Sequence, residues 1–217
     1  MVVLTPQLLN KFILIEDFST YAQKFILEEL PITEIKSNDL LIEKEEFCKI
    51  ELNKAIFVNC SIRNCNFEKA SFIDVIFEAC DLSNSAFTSA YFERCQFINC
   101  KGIGIDMRDT ILKNITLEQS NLQYSNFDHT KMTDVFFKSI DFTEASMSEV
   151  KLKRFQAVNS RFIKNNFFKT MLSAVNFSNN EFAAPIVSSP PIELKGAIIN
   201  MFQAADLIRL WGVTVIQ

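Results

Sequence analysis

The sequence predicts an all-β solenoid, and three regularities predict it. From Phe47 to Phe182 a large apolar residue recurs at every fifth position: 26 of 28 such positions hold one, and 15 of the chain's 22 Phe fall there. Two residues before each of these the side chain is mostly small or β-branched, as at Ala55, Cys60, Cys65, Ala70 and Val75. The remaining positions are mostly polar, with Asn59, Asn64, Asn84, Asn99 and Asn114 two places after the large residue. Neither a helical period nor strand alternation produces this pattern.

In an extended segment, residues i−2 and i share a face, so both point inward and the others outward. Asn tolerates the left-handed conformation of a tight corner. Each unit of five therefore reads as one short side and one corner, with one large and one small residue inside. Only Gly102 and Ala157 break the series. At Ala157 the two roles are exchanged, because Phe155 holds the small position, and the total volume is conserved. Gly102 and Gly104, two of only four glycines, point to a strained turn or bulge.

The chain has 217 residues, 48% of them hydrophobic, and a net charge of −4, which suits one soluble domain. No apolar run is long enough for a membrane span. Met1 to Pro6 shows neither a basic leader nor a small-residue cleavage site, so a cytoplasmic location is expected. Five of the six Cys (Cys60, Cys65, Cys80, Cys95 and Cys100) occupy the small inward position. They read as compact hydrophobes, and Cys60, Cys80 and Cys100 should stack in one column.

Residues 1–44 are expected to form a helical and extended cap. Thr5 and Pro6 read as N-cap and first residue of a helix whose apolar stripe is Leu8, Leu9, Phe12, Ile13 and Ile15. A second helical stretch through Tyr21, Phe25, Ile26 and Leu30 ends at Pro31. Such a cap covers an open first coil or binds a partner. The repeat occupies residues 45–199, interrupted by a loop at 183–191, after which Leu194 and Ile199 resume the spacing with the phase moved by two.

Residues 200–217 are expected to form a dimerisation helix and strand. Asn200 caps the helix and Gly212 stops it. Gln203, Asp206 and Arg209 make one polar stripe on an otherwise apolar circumference, so one side can cover the last coil and another a second subunit. The dimer interface is read as Phe202, Ala205, Leu207, Ile208, Trp211, Val213 and Val215, with Val213 to Ile216 pairing as a strand across a two-fold axis.

No phosphate-binding loop, dinucleotide fingerprint or paired-His metal motif occurs. The single His129 lies two places after a central Phe and reads as a solvated corner residue. With Phe67, Phe87, Phe127 and Phe167 stacked in the interior, little room remains for a catalytic cleft, so neither an enzyme nor a cofactor is expected. Charge is uneven: residues 1–47 sum to −5, residues 48–150 to −4 and residues 151–217 to +5. The run Lys151, Lys153, Arg154, Arg161, Lys164 and Lys169 is basic throughout.

The units Cys80-Asp81-Leu82-Ser83-Asn84 and Ser125-Asn126-Phe127-Asp128-His129 resemble the pentapeptide repeat family. That resemblance implies a right-handed quadrilateral β-helix with four repeats per coil, hence about seven coils for this series and a rod of roughly 35 Å. Within the family, Ile103-Gly104-Ile105-Asp106-Met107-Arg108 is similar to a run in the quinolone-resistance (Qnr-type) members, as are Gln203-Ala204-Ala205 with Leu207 and Gly212-Val213-Thr214-Val215-Ile216. The resemblance implies a homodimeric, DNA-mimicking rod that binds DNA gyrase and topoisomerase IV and relieves fluoroquinolone inhibition, with no direct nucleic-acid binding and no membrane association. A scaffold for another protein partner is the alternative. The series stays in phase, so the loop insertions of some Qnr-type rods are absent, while the N-terminal extension and the basic C-terminal third are this chain's own.

Overall fold

The structure, a computed structural model, describes residues 2–8 and 11–216. It is a parallel β-solenoid of about nine turns. Strand β1 (Ile13–Leu14) and helix α1 (Phe18–Glu28) precede β2 (Ile32–Thr33), β3 (Ile35–Asn38) and β4 (Leu41–Glu43). The body follows with β5 (Glu51–Val58), β6 (Ser61–Arg63), β7 (Ser71–Glu78), β8 (Tyr91–Ile98), β9 (Ile111–Glu118), β10 (Lys131–Lys138), β11 (Lys151–Val158), β12 (Arg161–Ile163) and β13 (Glu181–Ala183). Helix α2 (Met201–Leu207) and a 3-10 turn (Ile208–Trp211) close the chain. From β5 to β11 each long strand pairs in parallel with the one a coil away, as in Leu52↔Phe72 and Phe72↔Phe92.

The corners explain the period of five. The residue two places after each central one has a left-handed backbone, from Lys49 (φ 61°) through Asn114 (φ 54°) to Lys169 (φ 56°). Most are not Asn or Gly, so local preference does not make them. The ladder to the neighbouring coil holds most of these corners in place: Lys49 N–H donates to Glu68 O at 2.8 Å and Asn59 N–H to Glu78 O at 2.9 Å.

Inside, the rings stack coil on coil. Phe67 and Phe87 lie 4.7 Å apart and nearly parallel, and Phe72 and Phe92 4.5 Å apart. Phe127 and Phe167 continue the column of Phe67 and Phe87, with Met107 and Met147 between them, and all six are buried. The small inward residues satisfy carbonyls of the coil above: Cys80 Sγ donates to Phe57 O, Ser85 Oγ to Ile62 O and Thr170 Oγ1 to Met147 O. At the exchanged pair, Phe155 packs edge-on to Phe137 at 5.1 Å while Ala157 pairs with Phe137 in register.

The coil starts earlier than residue 45. Ile32 already pairs with Leu52 and Ser37 with Phe57, which accounts for more turns than the seven expected from the unbroken series. Ser37 stands where a large residue belongs, and Phe18 of α1 fills the space from above, 5.2 Å from Phe57 and 5.4 Å from Phe47. Asp17 caps α1 by accepting from Thr20 N–H at 3.0 Å, and Glu29 ends it in the left-handed region.

The helix expected from Thr5 does not form. Residues 2–8 are irregular and run down the outer wall, and Leu9 of the expected stripe lies outside the described residues. Leu4 N–H donates to Asn114 Oδ1 at 3.2 Å and Gln7 N–H to Asp74 Oδ1 at 2.9 Å. Those acceptors are two coils, or about 10 Å, apart, which three extended residues span. Tertiary acceptors thus override the local helix-start signal.

At the other end Glu193, buried without exposure, holds the 183–191 loop: its carboxylate accepts from Lys169 N–H, Ser188 N–H and Ser188 Oγ. Burial works to raise its pKa, and the Ser188 and backbone donors outweigh it, leaving the group below the usual carboxylate range. The last partial coil lies under 171–178 with the phase moved by two, Asn176 bridging Ile198.

Candidate functional site

The interior is packed with apolar side chains. A void of about 20 Å³ lies along the axis, lined by apolar groups around Gly102, Leu122 and Phe127. It exists because Gly102 replaces a large residue, and Leu122 leans into part of the space, its Cδ2 2.7 Å from where a Cβ on Gly102 would sit. Cys60, Cys80 and Cys100 stack in one column, with Cys65 and Cys95 buried on other sides; burial pushes Cys95 up to about 12 and Cys100 up to about 11. His129 is exposed, 3.9 Å from Glu149. No helix among the described residues is long and apolar enough to cross a membrane.

What remains is the outer surface, which has three distinct features. The first is the Gly102–Arg108 corner. Gly104 takes φ +66° with its backbone against Asn84 Oδ1, so a side chain there would collide as well as strain. Just beyond it Arg108 grips Asp106 with contacts of 2.6 to 3.0 Å, presenting an ordered ion pair on the wall. Burial works to raise the Asp106 pKa, but Arg108 holds it below its ordinary value.

The second is a ladder of charges on the corner between two faces. Glu34 meets Lys54, Asp74 meets Arg94 and Asp134 meets Arg154, each pair one coil apart. The N-terminal arm lies over the middle of this ladder, leaving Asp74 4% and Asn114 6% exposed. Sequence patterning could not reveal this, since the arm's partners are more than sixty residues away.

The third is the C-terminal end. Asn200 and Gln203 form a capping box, and Gly212 ends the 3-10 turn at φ +75°. Met201 (78%), Phe202 (81%), Trp211 (52%) and Ile216 (89%) are exposed, and so are Ala205, Ile208, Val213 and Val215. Leu207 departs from the expected interface: it is 4% exposed because it packs on the chain's own last coil. Gln203 is likewise not part of an outward stripe, for its Nε2 plugs the coil end by donating to Phe177 O and Asn180 O. Residues 213–216 form no strand within the chain.

Residues 70–139 and 90–167 match the family described as a pentapeptide repeat region. No curated protein matches the sequence. Among solved structures, the chain is similar to a trypsin-treated form of QnrB1, a plasmid-mediated fluoroquinolone resistance protein, at 16% identity and TM-score 0.46, covering 83% of this chain and 100% of that one. Full-length QnrB1 gives 17% identity and TM-score 0.40 over 85% and 91% of the two chains. HetL, a pentapeptide repeat protein involved in heterocyst differentiation regulation in the cyanobacterium Nostoc, gives 11% identity and TM-score 0.38 over 85% and 97%. At these values the likenesses assign no role.

Proposed function

From its membership of the pentapeptide-repeat proteins, we propose that the chain is a Qnr-like, non-catalytic rod. It binds DNA gyrase, and topoisomerase IV by the same mode, in the cytoplasm, and protects the enzyme from fluoroquinolones as a mimic of duplex DNA. The observation that carries the reading is the Gly102–Arg108 stretch. It keeps coil phase, leaves no room for a side chain at position 104 against Asn84 Oδ1 and sets the Asp106–Arg108 pair outward. The exposed apolar end supports a second step: two copies joined through Phe202, Ile208 and Trp211 double the rod length. The acidic excess over residues 1–150 supplies steering toward a basic DNA-binding saddle.

One observation favours the second reading, a scaffold for another partner. Many wall carboxylates are neutralised by a base one coil on, as in Asp81–Lys101, Glu118–Lys138 and Glu149–Lys169, so the wall is less phosphate-like than its composition. Binding of the chain to immobilised gyrase, with and without competing duplex DNA, separates the two. Binding that DNA displaces is the outcome for a mimic. No binding, or binding indifferent to DNA, leaves the scaffold.

A further inference from the structure

The stack of long strands stops at β11, and the stop is abrupt. In the coils above, the N–H of a central residue and that of the residue two places on donate nineteen positions ahead, as Phe47 does to Asn66 and Lys49 to Glu68. The same rule sends the N–H groups of Leu152, Arg154 and Ala157 toward residues 171, 173 and 176. Among the described residues none of the three finds a backbone acceptor. Residues 171–178 turn instead and bond downward, Leu172 to Glu193, Ala174 to Gly196 and Phe177 to Ile198. Past Ala157 the coils are tied together again at the corner, by Asn159 N–H to Asn179 O, Asn180 Nδ2 to Ala157 O and Ser160 N–H to Asn180 Oδ1.

A groove of about 530 Å³ opens between them, with Arg154–Val158 on one wall and Ala174, Asn176 and Asn179 on the other. No carboxylate lines it. Lys151 and Lys153 on β11 and Lys131 above are exposed, and none has an ion-pair partner among the described residues, while Arg154 is engaged by Asp134. An unpaired strand edge is a template for another strand unless it is covered. Here the template is long, recessed and flanked by uncompensated positive charge.

We propose that the open edge of β11 takes an extended acidic peptide segment of a partner protein as an added strand. The unpaired N–H groups supply main-chain pairing, and Lys151 and Lys153 select carboxylates at alternate positions of the incoming chain. Nucleic acid lacks the alternating donors and acceptors that such an edge pairs with. The inference is independent of topoisomerase binding, since it rests on β11 alone.

The test uses the full chain and a fluorescein-labelled Val-Glu-Val-Glu-Val-Glu peptide, read by anisotropy and by amide exchange at Leu152, Arg154 and Ala157. Controls are the lysine counterpart, an N-methylated version of the glutamate peptide, a single-stranded oligothymidine and a peptide copying residues 212–217. The expected result is binding of the glutamate peptide with slowed exchange at the three amides. N-methylation abolishes it, and the exposed double variant Lys151→Glu with Lys153→Glu weakens it about tenfold or more. The proposal is overturned by absence of binding, or by binding that survives both N-methylation and charge reversal. It is equally overturned if oligothymidine displaces the peptide at the same concentration, or if the 212–217 peptide binds tighter and so assigns the edge to a second copy.

Discussion

Arg94 holds Asp74 through two hydrogen bonds, Nε to Oδ1 at 2.7 Å and NH2 to Oδ2 at 2.9 Å, directly beneath the backbone of Gln7. Asp74 Oδ1 thus serves an ion pair between coils and the anchor of the N-terminal arm at once. Asp74→Ala is expected to speed amide exchange at Gln7 and Leu4 while leaving exchange in β8 and β9 unchanged. Equal acceleration throughout would show that the arm is not a separate unit.

The same carboxylate sets a pH dependence. Burial works to raise its pKa, but Arg94 and Gln7 outweigh it and hold it below the ordinary 3.8. A depressed folded value means that the stabilisation is complete above the unfolded pKa and is lost as pH falls through the folded one. Arm release, followed by exchange at Gln7, is therefore expected below about pH 4. An arm whose protection fades as pH rises from 5 to 8 would contradict this assignment.

Removing an interior ring is expected to be costly and removing the surface imidazole is not. Phe87→Ala and Phe127→Ala should each lower stability by about 3 to 5 kcal/mol in denaturant melts, and Phe18→Ala should act similarly by reopening the space over Ser37. His129→Ala should stay within about 0.5 kcal/mol.

Gly102 and Leu122 are expected to be coupled. Gly102→Leu alone overpacks the axis at a cost of about 1 to 3 kcal/mol, since Leu122 already leans into the space. Leu122→Ala alone costs about 2 to 5 kcal/mol. Together they exchange volume between neighbouring coils, so the double variant should lose clearly less than the sum; strict additivity would refute the shared space.

The solenoid was legible because its signal is redundant: each missing large residue is one among many, and the ladder restores the corner even where Ala79 or Arg94 replaces Asn. The ends were less legible because they carry one signal each. Thr5-Pro6 reads as a helix start until Asn114 and Asp74 are seen to accept the Leu4 and Gln7 amides. At the C-terminal helix, the cap at Asn200 and the stop at Gly212 follow from local chemistry. Which face turns inward does not, and Gln203 and Leu207 face the coil because its end needs both a donor and an apolar plug. The open edge of β11 has no sequence signal at all, since Met171 to Ser178 keep the repeat while their backbone leaves the ladder.

The proposed dimer makes a split prediction. Phe202→Arg and Ile208→Arg should give monomers of unchanged melting temperature by light scattering, because both side chains are exposed. Leu207→Arg should lower the melting temperature as well, since it buries a charge against the last coil. Dimers that persist in the first two variants would remove the C-terminal interface.

The central claim is tested most directly by DNA supercoiling with purified gyrase inhibited by ciprofloxacin, titrating in the full chain beside a drug-free control. Restored supercoiling at comparable or lower protein than enzyme is the predicted result. Supercoiling that stays inhibited, with the drug-free control unaffected, would contradict a protective role.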